Sequence, residues 1–430
     1  MYLIVTHIPI YVSGSRTFVD NGWYADLILA REFFAPHFGE IHVAGPSLSA
    51  SRAGTLSLHE IAPETHGMQL HPSVDARIRT RTFWLRTRRQ WLADLEPLLR
   101  AATVVHTSVD DPFRPFSLLA LLRAAELGKP IVQVGPDMDP WITLDYQRKQ
   151  MGRTQGYMHF ARTIAMDRWL VHCARRTAVT MLKEGAVYDR YASYARNPKS
   201  FCHTMHRASW VIDGGVLDAR LATLSEARPL RLIYCGRFVQ YKGLPDSLRL
   251  VARCRELGAD VTLDMIGAGE QRPELEALVQ RLGLQRQVRF FEFVPYGPEF
   301  FSMLRGYDAL LYTPLQEDTA RMVYDAFACG LPVLGTDIPF LKWRAKLDHA
   351  LVLWPIGDVE AGARAVASRD ADRERLRCLS GRARLAGAHH TVEYWYGRRT
   401  EWTRQLFESE PVREGTWPAG ALYGQTRARN

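Results

Sequence analysis

No apolar run of 18 or more residues occurs in the 430-residue chain, so no transmembrane helix is expected. The opening stretch MYLIVTHIPIYV is too short and too uncharged for a signal peptide with a basic leader, and it reads as a first buried strand. Cysteine is scarce and scattered: Cys173, Cys202, Cys235, Cys254, Cys329 and Cys378, with no CxxC pair. That pattern suggests neither a zinc cluster nor a disulfide framework, and a reduced, cytosolic chain is the plain reading. No internal repeat, low-complexity tract, or RNA- or DNA-binding motif is present, so nucleic acid is not an expected partner. Acid is short in the first half. Residues 1–210 hold 25 Lys and Arg against 18 Asp and Glu, while residues 211–430 hold 30 against 28. A basic first half fits an anionic partner such as a phospholipid surface, a polyprenyl-phosphate carrier or an acidic glycan.

What is present points to two domains of about 200 residues each. Short apolar runs alternate with helical spacing throughout, the pattern of an α/β chain with parallel sheets. After the first strand, Ser13-Gly14-Ser15-Arg16 reads as the turn into a helix from Trp23 to Phe34, with Asn21 as its cap. Ile41–Ala44 reads as a strand, and residues 45–76 as strand and loop. The run from Arg77 to Arg89 holds six Arg and no acid, with Phe83 and Trp84 in its middle. It reads either as the solvated face of a helix or as a peripheral contact with an anionic membrane. His106 falls at the C-terminal mouth of a strand, with Asp110 and Asp111 in the following loop. Asp137 and Asp139 read equally as ligands for acceptor hydroxyls or as turn and cap residues. Trp169–His172 reads as a short strand and Arg175–Glu184 as a helix.

The richest stretch is Tyr312–Thr336, YTPLQEDTARMVYDAFACGLPVLGT. A buried strand ends before Pro314. An acidic loop follows, then a helix closed by Gly330, and then a second strand from Val333. Glu317 and Asp325 stand eight positions apart, one at a strand mouth and one on the helix. Ligands of open α/β sheets bind at such mouths. Upstream, the strand Leu230–Tyr234 runs into Gly236-Arg237-Phe238-Val239-Gln240-Tyr241-Lys242-Gly243. Two cations on glycine-punctuated backbone can stabilise a departing diphosphate without a metal. A further strand ends in Gly267-Ala268-Gly269.

Together these segments resemble the retaining glycosyltransferases of group 1, family four, strongly over residues 229–360 and weakly before. The resemblance implies an α/β chain of two facing Rossmann-like domains, the GT-B architecture, with a C-terminal helix crossing back to the first domain. The expected division is 1–212 for the acceptor side, 213–228 as linker and 229–390 for the donor. A crossover helix at 391–410 and a tail at 411–430 follow. It implies a hexosyl transfer from a nucleoside diphosphate sugar, used as co-substrate with no cofactor and no metal, to a glycan or lipid-linked acceptor, with retention. Arg237 and Lys242 would hold the diphosphate, Asp325 the ribose, and Glu317 the sugar. Gly267 would shape the nucleotide pocket, and Gly14 with Arg16 would approach the donor phosphate. His106 would lie near the transferred sugar or the acceptor. Two positions depart from the family pattern. The second acid is Asp325 rather than Glu, and Asp318, Thr319 and Ala320 after Glu317 include no glycine. A fold-retaining binding protein without turnover and a sugar-nucleotide epimerase or phosphorylase stay open as alternatives. Location is expected to be cytoplasmic, on the inner face of the membrane if the basic run meets lipid.

Overall fold

The computed structural model describes residues 1–54, 56–150, 152–224 and 228–408. The tail 411–430 lies outside the described residues.

Two sheets organise the chain. The first holds β1 (Tyr2–Val5), β2 (Ile10–Ser13), β3 (Arg16–Asp20), β4 (Ile41–Ser49), β5 (Leu58–Glu60), β6 (Met68–Asp75), β7 (Val104–Thr107), β8 (Ile131–Val134), β9 (Val179–Lys183) and β10 (Pro198–Phe201). Its order is β10-β9-β8-β7-β1-β4-β2-β3-β5, with β6 also on β4. From β10 through β4 every pairing is parallel. All four residues of β1 are buried, as expected of a strand covered by helices on both faces. The second sheet holds β11 (Leu230–Cys235), β12 (Val261–Ile266), β13 (Val288–Phe291), β14 (Ala309–Tyr312), β15 (Val333–Thr336) and β16 (Leu351–Trp354). Its order is β13-β12-β11-β14-β15-β16, parallel throughout. No described helix is long and apolar enough to cross a membrane.

Several local expectations need correction. The Gly14 turn joins β2 to β3 in an antiparallel hairpin and does not lead from a first strand into a first helix. That helix, Asn21–Phe38, is capped by Asp20 and not by Asn21: the Asp20 carboxylate accepts from the Gly22 and Trp23 N–H groups at 3.0 and 3.1 Å. Trp169–His172 lies inside the single helix Arg153–Ala174, and β9 occupies the segment read as a helix. The five residues of β9 are all buried, so the period of two that marks a strand is absent from the sequence. Part of the expected linker is the helix Gly214–Ala222, whose Arg220 donates to the carbonyls of Cys329 and Gly330 at 2.8 Å each. The chain has therefore already joined the second domain there.

A returning helix and a buried arginine help to fasten the halves together. The helix Val392–Glu408 crosses onto the first domain, where the Thr400 hydroxyl donates to Phe33 O at 3.3 Å and the Tyr396 and Phe33 rings stand 5.4 Å apart. Arg344 of the second domain is fully buried and meets Glu184 of the first at 2.8 Å and Asp348 at 3.4 Å.

Candidate active site

The C-terminal ends of the two sheets face one another. The Thr319 hydroxyl, in the loop after β14, donates to the carbonyl of Asp137, in the loop after β8, at 3.1 Å. Between these loops lies the ground on which a donor and an acceptor could meet.

On the second domain, the loop after β11 needs its glycines. Gly243 has φ +66°, and a Cβ there would lie 2.0 Å from Thr313 O. Gly267 has φ +138°, and its Cβ would lie 2.1 Å from Gly236 O. Only glycine lets the β11, β12 and β14 loops close on one another this tightly. The closure carries Lys242 into a buried position between the Tyr241 and Tyr312 rings, 5.3 Å from each. Its ammonium donates to the Asp318 carboxylate, and the Tyr312 hydroxyl also donates to that carboxylate. Lys242 thus has an anionic partner inside the chain. Arg237 is exposed and donates to the Tyr241 hydroxyl at 2.9 Å, leaving most of its fork open.

Glu317 is 4% exposed and accepts the Phe340 N–H at 3.1 Å. Burial pushes its carboxyl up to about 7, against the pull of that N–H. Asp325 is equally buried, and burial also pushes it up to about 7, opposed by the Tyr296 hydroxyl that donates to it at 2.7 Å. His206 approaches Asp325 at 3.9 Å and is pushed down to about 4 by its own burial, so it is neutral at pH 7. Tyr296 and His206 were not picked out by sequence reasoning. Tyr296 sits in the loop after β13.

On the first domain, a cavity of about 830 Å³ opens at the mouths of β1, β7 and β8. His106 lines it but sits inside β7, one residue before the strand ends, paired in register with Ile4 and Val132. Burial pushes its imidazole down to about 3, and the Tyr2 hydroxyl lies 3.0 Å from Nδ1. It is neutral at pH 7 and lines the cavity wall near the end of β7. Asp137 pairs with Lys183 at 2.5 Å. Asp139 caps the helix Pro140–Gln150, accepting from the Trp141 and Ile142 N–H groups at 2.8 and 3.1 Å, and it also pairs with Arg190. Of the two readings left open for it, the cap is the one its contacts display. Gly14 is exposed at its hairpin tip, and Arg16 pairs with Glu60 at 3.5 Å; neither lines the cavity. Thr6 and His7 follow β1 into the cavity. Lys183, His203, Asp26 and Arg399 also line it and were missed by sequence reasoning, because they come from four separate elements.

In the basic run, Phe83 is fully buried and the Trp84 ring N–H donates to Phe113 O at 2.9 Å, so these aromatics are committed to the protein. Arg86 and Arg89 are exposed, as is Leu85.

Residues 220–385 match the family model described as glycosyl transferases group 1. The lipopolysaccharide core biosynthesis glycosyltransferase LpsE of Rhizobium meliloti (strain 1021) is 30% identical over 179 residues, 41% of this chain and 49% of that protein. The 2-deoxystreptamine glucosyltransferase of Streptomyces kanamyceticus is 30% identical over 151 residues, 35% of this chain and 38% of that protein. The chain therefore spans about half or less of the length of the curated relatives it matches. Among solved structures, HepE of Anabaena in complex with UDP superposes with a TM-score of 0.65 at 13% identity, covering 94% of this chain and 99% of that one. Sucrose-phosphate synthase from Thermosynechococcus elongatus gives 0.64 at 16% identity, covering 95% and 99%. The two parallel sheets with a returning helix are the GT-B fold, and the similarity to group 1 glycosyltransferases lies in the second domain.

Proposed function

We propose that the protein transfers a hexosyl group from a nucleoside diphosphate sugar to a glycan or lipid-linked acceptor, with retention. The observation that supports this reading is the meeting of the β11 and β14 loops, where Lys242 donates to Asp318, the neighbour of Glu317, and Thr319 reaches Asp137 of the first domain. Arg237 and Lys242 would receive the diphosphate and offset the charge it gathers as the glycosidic bond breaks. Glu317 would orient the sugar, and Asp325 with Tyr296 the ribose. In a front-face transfer the leaving phosphate takes the acceptor's proton, so no side-chain base is assigned. The acceptor would enter from the first-domain cavity. A peripheral contact with anionic lipid would rest on the exposed Arg86 and Arg89 rather than on Phe83 and Trp84.

One observation favours a second reading, a binding protein without turnover: Asp318 already occupies the ammonium of Lys242. Release of nucleoside diphosphate from UDP-, GDP- and ADP-glucose separates the two. Slow release with one donor, lost in Glu317→Gln, supports a transferase. Tight nucleotide binding with no release from any donor supports the binding protein.

A further inference from the structure

The first-domain cavity holds a buried cation with no described carboxylate in direct contact. Arg399 comes from the crossover helix and is only 7% exposed. It lines the cavity beside Phe34, Phe201 and Tyr396, whose rings stand 5.6, 5.2 and 4.7 Å from its guanidinium carbon. The Tyr396 hydroxyl shares a hydrogen bond with it, while Nε has no partner. Among the described residues no carboxylate comes within 4.0 Å. Asp26, on the same cavity, hydrogen-bonds His203 at 3.1 Å and reaches Arg399 only through space; against the push of its own burial, the His203 contact and the positive charges of Arg321 and Arg399 help to hold its carboxyl low.

Burying a guanidinium without a carboxylate is unfavourable, and ring contacts return only part of that cost. Arg344 shows how this same chain handles a cation whose task is to hold the halves together: it is buried and paired with both Glu184 and Asp348. Arg399 is buried, lacks such a pair and faces open space. The histidines beside it supply no charge, since burial holds His106 and His203 low.

We propose that Arg399 is an anion-binding residue of this cavity, and that the acceptor presents a phosphate or carboxylate group to it. The proposal rests on the reading of the cavity as the acceptor side. A planar guanidinium in an aromatic frame matches the paired oxygens of either group. The last helix of the chain then completes a binding site on the first domain.

The test is thermal melting with UDP at saturation, so that the diphosphate site is filled. Sodium phosphate, methyl phosphate or acetate is titrated against chloride at constant ionic strength, on wild type, Arg399→Met and Arg399→Lys. A saturable rise in melting temperature is expected for wild type with at least one of these anions. Arg399→Met should lose it, and Arg399→Lys should need roughly fivefold more anion, because a point charge replaces the fork. A response to the phosphates alone identifies a phosphate monoester, and a response to acetate alone a carboxylate. A wild type indifferent to all three anions overturns the proposal, as does a rise that survives Arg399→Met. Should Arg399→Met not fold, an undiminished response in Arg399→Lys overturns it. The shift given by UDP itself reports the donor site. Where UDP gives none, GDP and ADP are tried in its place; absence of a shift with all three counts against the proposed function and leaves the Arg399 comparison standing.

Discussion

Lys242 and Asp318 form a buried ion pair at the mouth of β14, at the spot where a diphosphate would need the lysine. A donor must compete with this carboxylate or share the ammonium with it. Asp318→Asn removes the competing charge while keeping the shape. Nucleoside diphosphate should then bind about tenfold more tightly, the equivalent of about 1.4 kcal/mol. Calorimetric titration of both proteins checks this. Weaker binding in the variant would make Asp318 a support that aims Lys242.

Glu317 and Asp325 give stability a pH dependence of known sign. Their carboxyls sit at about 7 in the folded chain, against 4.5 and 3.8 ordinarily. Between those values the folded chain keeps protons that the unfolded chain has released. Their contribution is therefore fully present below pH 4, and it is lost as pH rises through about 7. Buried histidines such as His106 and His206 slope the other way below about pH 6.5, so the comparison is between proteins: from pH 5 to 8 the melting temperature of wild type should decline relative to that of Glu317→Gln. Equal slopes in the two proteins would place the Glu317 carboxyl in the ordinary range.

Arg344 should be the costliest single side chain to remove. Arg344→Leu leaves Glu184 and Asp348 buried without their cation, a loss of about 3–5 kcal/mol. Denaturant unfolding of the whole chain measures it. A change under about 1 kcal/mol would show that the pair does not hold the domains together.

For the lipid contact, wild type should sediment with anionic vesicles and less so as salt rises. The triple change of Arg86, Arg88 and Arg89 to Ser should abolish sedimentation. Pelleting that survives the change removes this surface from consideration.

The second domain was legible because its signals are local. A strand, a glycine and a helix follow one another within about a dozen residues at each mouth, and Gly243, Gly267 and Gly330 mark backbone with positive φ that other residues avoid. What stayed hidden was pairing at a distance. Asp318 reaches Lys242 across 76 positions, and Arg399 meets Phe34 only because the last helix returns to the first domain. At His106 the strand boundary differs by one position: β7 runs on to Thr107, and His106 still lines the cavity. In β9, burial on both faces erased the alternation that would have told strand from helix.

The central claim is a nucleoside diphosphate site built on Lys242 and Arg237. Thermal melting with UDP, GDP, ADP and CMP, on wild type and on Lys242→Ala, tests it most directly. At about 100 times its dissociation constant, the matching diphosphate should stabilise wild type by roughly 2.7 kcal/mol and leave Lys242→Ala unmoved. No shift with any of the four, or the same shift in both proteins, would contradict the account.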